Sequence, residues 1–297
     1  MPKRTSEKDP LPGATLLATA ARHEVSVPGA RLSYQVIGEG PALLFIMGFL
    51  ARGLAWRHQL EALAPRWRCI IFDNRGIGES HAERQSSGMH ELAEDALAVL
   101  NHAGEARAHI VGVSMGGMIA QRLVLMTPEK VKSLSLLVTH PGGLHRVIPP
   151  RRGWLAFLRA QRARESADHL SALLQLLCPP ARLAAMGTAE RMRLYRCLDE
   201  DFSPTPSPET RRAQLSAIIR FRAASELHKV QCPTLIAQAG EDRLISPRHS
   251  ETLARLIPQS VLHAFPEQGH GLIRGSVALN QALEAHFLRA EASWARL

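Results

Sequence analysis

The chain has 297 residues, of which 45% are hydrophobic and 21% are charged, and it carries a formal net charge of +9. These proportions are ordinary for a globular protein and exclude a disordered or a fibrous chain. Its apolar runs stay short of the ~20 residues that a membrane-spanning helix needs. We therefore expect a globular protein that does not span a membrane.

Residues 1–22 are predicted to form an N-terminal tail. This segment combines basic residues, a short apolar stretch and an Ala18-Thr19-Ala20 sequence that imitates a signal-peptidase site. Acidic residues, prolines and a glycine interrupt the apolar stretch before it reaches the length of a signal sequence. The sequence therefore favours a cytoplasmic protein over a secreted one.

From residue 23 onward, short β-rich runs alternate with longer helical runs. The strand-like runs lie at 23–29, 31–38, 42–47, 68–73, 108–113, 133–140, 232–240 and 260–265. The first two predict a hairpin, and the next three are apolar without polar alternation, which is typical of strands buried on both faces. This pattern predicts an α/β fold with a mostly parallel central sheet and helices on both faces.

Strand-like sequence is interrupted between 141 and 207, where the chain becomes helical, basic and rich in proline. The segment is short, and the chain returns to sheet-like sequence on both sides of it. We therefore predict a helical lid at 141–207, inserted after the sixth strand of a core formed by 23–140 and 208–297. Ser207-Pro208 predicts the start of the following helix, with serine as the N-cap and proline in the first turn.

The composition also bears on cofactors and partners. The densest basic patch is a group of lid arginines, which are Arg151, Arg152, Arg159, Arg162 and Arg164. Such a patch suits an acidic lipid or a nucleic acid, but it contains no recognisable nucleic-acid motif, so a solvated helix face is favoured. The four cysteines lack the C-x-x-C spacing of metal and redox sites. The sequence therefore predicts a small-molecule substrate, with no cofactor, no metal and no nucleic acid.

The strongest local motif is Gly112-Val113-Ser114-Met115-Gly116, which lies between an apolar strand and a helical run. This G-x-S-x-G pattern is typical of a sharp strand-to-helix turn that raises a serine hydroxyl above the sheet. Glycines on either side avoid the Cβ collisions that such a turn would otherwise cause. The pattern predicts Ser114 as a nucleophile, and it places the Met115 N–H at a helix N-terminus, where it can face an oxyanion.

A serine nucleophile needs a general base and a carboxylate that orients the base. Asp242 follows the strand-like run at 232–240, and His270 lies in Gln268-Gly269-His270-Gly271, a few residues after the last strand. Both are therefore expected at the carboxyl edge of the sheet, together with Ser114. Glu241 is a rival for the carboxylate role, and Asp242 is preferred because of the G-x-D pattern followed by Leu244, Ile245 and Pro247.

With these motifs, the chain from about 24 to 290 resembles an α/β-hydrolase of the serine type, and the order Ser-Asp-His is the one expected of that fold. Ile46-Met47-Gly48-Phe49 and the segment Asp73-Asn74-Arg75-Gly76-Ile77-Gly78-Glu79-Ser80 also match. The resemblance implies that the backbone N–H of Phe49 is the second oxyanion donor. Met47 stands where relatives commonly have histidine, so another group must hold this loop.

Two further interpretations follow from the same segments. The segment at 73–80 is glycine-rich and follows a strand, but it has no lysine-threonine ending, so it is interpreted as a structural turn in which Arg75 and Asp73 tie loops together. Phe49, Trp56 and His140 each lie just beyond a strand end or on the predicted oxyanion loop. They are therefore candidates to line a substrate pocket.

The predicted function is a serine hydrolase that cleaves a small or medium-sized hydrophobic ester, lactone or related acyl compound through an acyl-enzyme. Thioester hydrolysis and carbon–carbon bond hydrolysis remain alternatives on the same three residues. A non-catalytic receptor for a small ligand is an alternative of another class, because this fold can hold a ligand without turning it over.

Overall fold

The computed structural model describes residues 10–143 and 166–294. The described strands are β1 (Arg22–Val27), β2 (Ala30–Ile37), β3 (Ala42–Ile46), β4 (Arg68–Phe72), β5 (His81–Ala82), β6 (Ala108–Val113), β7 (Val131–Leu137), β8 (Thr234–Ala239) and β9 (Ser260–Phe265). The described α-helices are α1 (Ala14–Thr19), α2 (Arg57–Leu63), α3 (Met89–His102), α4 (Met115–Met126), α5 (Ser166–Leu177), α6 (Pro180–Ala185), α7 (Thr188–Phe202), α8 (Pro208–Arg220), α9 (Arg248–Leu256) and α10 (Val277–Trp294).

The strands form one sheet in the order β1-β2-β4-β3-β6-β7-β8-β9, and β5 pairs with β2. Strand β2 is antiparallel to its neighbours β1, β4 and β5. All pairings from β4 through β3, β6, β7 and β8 to β9 are parallel. The mostly parallel sheet predicted from the alternation of strands and helices is confirmed.

Helices cover both faces of this sheet. In β3, Leu44 and Ile46 pack into a core with residues of α3 and α4, while Leu43 and Phe45 pack into a second core with residues of α2 and α10. Successive side chains of a strand point to opposite faces, so a central strand covered on both faces is apolar at every position. This burial explains why β3 and β4 show no polar alternation.

Two details differ from the sequence prediction. Strand β5 is an additional strand of two residues, so the insertion follows the seventh described strand instead of the sixth. Strand β7 ends at Leu137 and not at 140, because Val138 takes a positive φ of 42° that turns the chain out of the sheet.

The predicted tail at 1–22 contains α1 and the first residue of β1. Gln35 on β2 donates hydrogen bonds to the carbonyl oxygens of Leu17 and Ala20, so the end of this helix is tied to the sheet. Residues 1–9 lie outside the described part of the chain. The division into tail, core and lid stays a prediction.

Helices α5, α6 and α7 occupy the described part of the predicted lid. The arginine patch at 151–164 lies outside the described residues. Helix α8 begins as predicted, since the Ser207 hydroxyl accepts a hydrogen bond from the Thr210 N–H and Pro208 occupies the first turn. Across residues 10–143 and 166–294, no helix is long and apolar enough to cross a bilayer.

Candidate active site

Ser114 lies at the junction of β6 and α4 in a strained backbone conformation, with φ 55° and ψ −119°. A residue with a Cβ rarely adopts a positive φ, so the surrounding structure must hold it there. The Ser114 N–H donates to the Leu137 carbonyl at 2.9 Å, and its carbonyl accepts from the Gly117 N–H at 3.0 Å. The Thr139 hydroxyl donates to the same carbonyl at 2.7 Å. Three hydrogen bonds therefore keep the serine in the turn.

His270 connects the other two predicted residues. Its Nε2 lies 3.0 Å from Ser114 Oγ, and its Nδ1 lies 2.8 Å from Asp242 Oδ2. The histidine is 7% exposed and the aspartate 6% exposed, so little water competes for these hydrogen bonds. Ser114 and Asp242 precede His270 by 156 and 28 positions in the sequence, and both contact its imidazole ring.

The Asp242 carboxylate is oriented by its own loop. Its Oδ1 accepts hydrogen bonds from the N–H groups of Leu244 at 2.7 Å and Ile245 at 2.8 Å, which leaves Oδ2 to face His270. The rival Glu241 is exposed to solvent. The structure thus brings Asp242, and not Glu241, to the histidine.

Glycines on both sides of His270 let its loop lie against the end of α5. The Gly271 N–H donates to the Leu177 carbonyl at 2.8 Å. A Cβ added at Gly269 would come 2.8 Å from the same carbonyl oxygen, closer than real Cβ atoms come. The glycines that singled out this histidine in the sequence therefore serve a close approach between its loop and the helical insertion.

The loop after β3 passes beside the serine. A Cβ added at Gly48 would lie 3.3 Å from the Ser114 Cβ, so the segment carrying Phe49 borders the hydroxyl. Met115, the other predicted oxyanion donor, is the first residue of α4, where backbone N–H groups have no partner within the helix. Both predicted donors lie next to the serine in the chain or in space.

Two side chains hold the loop in which Met47 replaces the usual histidine. The amide of Asn74 donates to the Met47 carbonyl at 3.2 Å. The Leu50 N–H donates to Gln214 Oε1 at 2.9 Å, and Leu50 itself has a positive φ of 59°. Asn74 lies in the segment that the sequence analysis selected, but no local signal pointed to Gln214, which is 164 residues from Leu50.

The segment at 73–80 makes structural contacts. Asp73 accepts hydrogen bonds from the N–H groups of Gly53 at 2.7 Å and Glu79 at 2.9 Å. Arg75 is buried and forms ion pairs with Asp95 and Glu91 on α3. These contacts agree with its interpretation as a turn that ties neighbouring segments together.

A cavity opens over Ser114 and His270. Its described lining is mainly apolar and consists of Met47, Gly48, Phe49, Leu50, Ala51, Val113, Ser114, His169, Leu173, Leu176, Leu177, Phe202, Thr205, Pro206, Arg211, Leu244, His270, Gly271, Ile273 and Arg274. The walls come from the loop after β3, from α5, from the region between α7 and α8, and from the loop after β9. The serine hydroxyl and the histidine therefore face a space that suits an apolar compound.

Of the three residues predicted to line this cavity, Phe49 does so, whereas Trp56 and His140 belong to the surrounding core. Trp56 is fully buried against Phe45, with ring centroids 5.0 Å apart. His140 accepts a hydrogen bond from the Gly142 N–H at 3.0 Å, and burial lowers its pKa to about 3. The positions of strand ends in the sequence do not reveal this difference in side-chain depth.

The chain is similar to a known protein family and to several known proteins. A family profile described as alpha/beta hydrolase fold matches residues 41–273, a range that includes Ser114, Asp242 and His270. A protein of Azorhizobium caulinodans provisionally named carbamate hydrolase RutD is 30% identical over 240 residues, covering 78% of this chain and 84% of the relative. The pimeloyl-[acyl-carrier protein] methyl ester esterase of Chromobacterium violaceum is 27% identical, covering 80% of this chain and 91% of the esterase.

Among solved structures, the enol-lactonase of Burkholderia xenovorans LB400 superposes with a TM-score of 0.76 and 21% sequence identity. The superposition covers 90% of this chain and 100% of the lactonase. At that level of identity the likeness concerns the fold alone. The profile match extends over most of the chain and includes the three candidate catalytic residues.

Proposed function

Because this chain belongs to the alpha/beta hydrolase fold family, and is a hydrolase, we propose that it is a serine hydrolase that cleaves small or medium-sized hydrophobic esters, lactones or related acyl compounds. The observation that carries the proposal is the position of His270, whose two ring nitrogens lie 3.0 Å from Ser114 Oγ and 2.8 Å from Asp242 Oδ2. These distances are within hydrogen-bond reach, which proton transfer to a general base requires.

In the proposed reaction, Ser114 Oγ attacks the acyl carbon while His270 Nε2 takes the hydroxyl proton. The backbone N–H groups of Phe49 and Met115 stabilise the negative charge that develops on the acyl oxygen. His270 then gives its proton to the leaving alcohol, which departs and leaves an acyl-serine. His270 then takes a proton from a water molecule that attacks the acyl-serine, and it returns this proton to Ser114 Oγ as the bond to the acyl carbon breaks and the acid leaves.

Asp242 holds the imidazole in the tautomer that carries its proton on Nδ1 and stabilises the imidazolium that forms during the reaction. The two backbone N–H groups on Asp242 Oδ1 support this role, because they fix the direction of the carboxylate. The proposed role for Asp242 is therefore to position the base.

The lining of the cavity supports an apolar acyl group as the substrate. Leucines of α5 and Phe202 of α7 face the space above the serine, and burying apolar substrate surface against them favours binding. The relative named as a methyl ester esterase is compatible with this substrate class.

The proposal is tested by labelling with a fluorophosphonate probe, followed by a panel of esters, lactones and thioesters. We expect the wild-type protein to be labelled, and the Ser114→Ala variant to be unlabelled and about 10⁶-fold slower in turnover. Ser246→Ala, on the loop that carries Asp242, is the matched control and should be labelled normally. Turnover retained in Ser114→Ala would refute the mechanism, and ligand binding by wild-type protein without labelling or turnover would indicate a receptor.

A further inference from the structure

The ionisable side chains that line the described part of the cavity are all basic. Among its described lining residues the titratable side chains are two histidines and two arginines, which are His169, His270, Arg211 and Arg274. Arg274 is only 6% exposed, whereas Arg211 is half-buried at the start of α8. A buried guanidinium group is costly unless it meets a counter-charge, so the partners of Arg274 determine how much positive charge the cavity wall carries.

Arg274 shares its carboxylate partner with another arginine. Its Nη1 donates to Asp201 Oδ2, while Arg57 Nη2 donates to Asp201 Oδ1 at 2.7 Å. Asp201 is fully buried and Arg57 is 2% exposed. One buried carboxylate therefore serves two buried guanidinium groups. Glu200 is the second partner of Arg57 at 2.7 Å, but its side chain is 54% exposed, so water screens its charge.

Hydrogen bonding at Arg274 is also incomplete. Its Nε is buried and has no hydrogen-bond acceptor among the residues that the structure describes. Polar groups buried without a partner are uncommon in proteins because each one carries a desolvation penalty. Arg274 is thus a buried cation with both a shared counter-charge and an unfilled donor.

The chain geometry keeps this cation near the reacting groups. The Arg274 N–H donates to the Gly271 carbonyl at 2.9 Å, in a tight turn that begins beside His270. The pKa of the neighbouring His58 is lowered to about 4, first by burial and then by Arg274 and Arg57, while Asp201 acts to raise it. Because Arg274 lines the same cavity as Ser114 and His270, a compound that fills this cavity would lie against Arg274.

We propose that Arg274 recognises an anionic group on the substrate, so that the preferred substrates are hydrophobic acyl compounds that also carry a carboxylate remote from the scissile bond. This inference rests on the proposed hydrolase function. The substrate carboxylate would supply the counter-charge that Asp201 divides between Arg274 and Arg57. The apolar walls would contact the carbon chain between the carboxylate and the acyl carbon.

The test compares monomethyl adipate with methyl hexanoate, which have the same four-methylene chain and differ in a terminal carboxylate against a methyl group. We expect wild-type kcat/KM to be about 10- to 100-fold higher for monomethyl adipate, the range of a hydrogen bond to a charged group. The related half-esters from succinate to suberate locate the best chain length. Equal kcat/KM values for charged and neutral esters at every length would overturn the inference.

Four variants assign the preference to a residue. Arg274→Met should abolish it, and Arg274→Lys should retain part of it because the charge remains. Arg66→Met is the matched control, since Arg66 is an exposed arginine paired with Glu284 at 3.0 Å, and it should keep the wild-type ratio. If Arg211→Gln removes the preference and Arg274→Met does not, the assignment to Arg274 is wrong. Should Arg274→Met fail to fold, Arg274→Lys provides the test. A ratio of kcat/KM for monomethyl adipate to that for methyl hexanoate that is below the wild-type value and declines with added salt would support the inference. A wild-type ratio that salt does not change would overturn it.

Binding measurements separate this inference from the proposed function. Calorimetric titration of Ser114→Ala protein with the same two esters measures the preference without turnover. Tighter binding of monomethyl adipate by Ser114→Ala protein, together with no hydrolysis of either ester by wild-type protein, would support the anion site while refuting the hydrolase proposal. Hydrolysis of both esters at equal rates, with equal binding, would support the hydrolase and refute the anion site.

Discussion

The backbone of Gly116 lies so close to the carbonyl oxygen of Ile46 that a Cβ atom at position 116 would overlap it. Gly116 is in the first turn of α4, two residues after Ser114, and Ile46 is the last residue of β3. Packing of the helix against the neighbouring strand therefore depends on a glycine at this position. The G-x-S-x-G motif thus reports a packing requirement as well as a turn.

Gly116→Ala is expected to destabilise the protein by about 1–3 kcal/mol, because the added methyl group must displace the helix from β3. Urea unfolding followed by circular dichroism measures the change. Gly187→Ala is the matched control, since an added Cβ at Gly187 meets nothing within 4 Å. If both variants have the same free energy of unfolding as the wild type, the close contact between Gly116 and Ile46 is not present in solution.

Asp242→Asn should lower kcat by about 10⁴-fold while the protein stays folded. The asparagine keeps an oxygen for the Leu244 and Ile245 N–H groups, but it no longer selects the tautomer of His270. Steady-state hydrolysis of the best ester measures the effect. Glu241→Gln changes the neighbouring exposed carboxylate and should leave kcat unaltered. If Glu241→Gln lowers kcat and Asp242→Asn does not, Glu241 is the carboxylate that orients His270.

Gln214 is expected to position the loop that carries the Phe49 N–H. Gln214→Leu removes the acceptor for the Leu50 N–H, and we expect kcat to fall about 10- to 100-fold, with a smaller change in KM, because a displaced oxyanion donor acts mainly on the transition state. Gln214→Glu retains an acceptor oxygen and should restore part of kcat. A purely structural role would instead lower the free energy of unfolding of Gln214→Leu and leave kcat of the folded fraction unchanged.

Acid should destabilise the protein well before its carboxylates titrate. Burial lowers the pKa of His140 to about 3 and that of His286 to about 4, against about 6.5 in the unfolded chain. The unfolded state therefore binds more protons below pH 6.5. The stabilisation from each neutral histidine is complete above that pH and is lost as the pH falls toward the folded pKa.

Each of these two histidines is expected to add up to about 1.4 kcal/mol per pH unit to the slope of the free energy of unfolding between pH 6.5 and 4. His140→Asn keeps an acceptor for the Gly142 N–H. Because this variant loses one titrating group, its slope should be smaller by the contribution of one histidine, which is up to about 1.4 kcal/mol per pH unit. Urea unfolding at pH 7.5, 6 and 5 measures this. An unchanged slope in the variant would mean that His140 titrates alike in both states.

Several features could be predicted from the sequence because they depend on neighbouring residues. Strand burial appears as continuous apolar runs, a turn appears as glycines around Ser114, and a helix start appears as Ser207-Pro208. The order of the strands along the chain also placed Asp242 and His270 at the same sheet edge as Ser114, since parallel strands end on one side. Local periodicity and chain order therefore determined the fold and the candidate reacting residues.

The tertiary structure alone decided which distant groups complete the site. Gln214 meets Leu50 across 164 positions, and Asp201 meets both Arg57 and Arg274, yet none of these residues stands in a recognisable motif. Such pairings depend on how the helices between β7 and β8 dock over the sheet, which no short sequence pattern encodes. The sequence by itself therefore determined the scaffold and the candidate reacting residues, while the charge and shape of the cavity arose only when remote segments packed together.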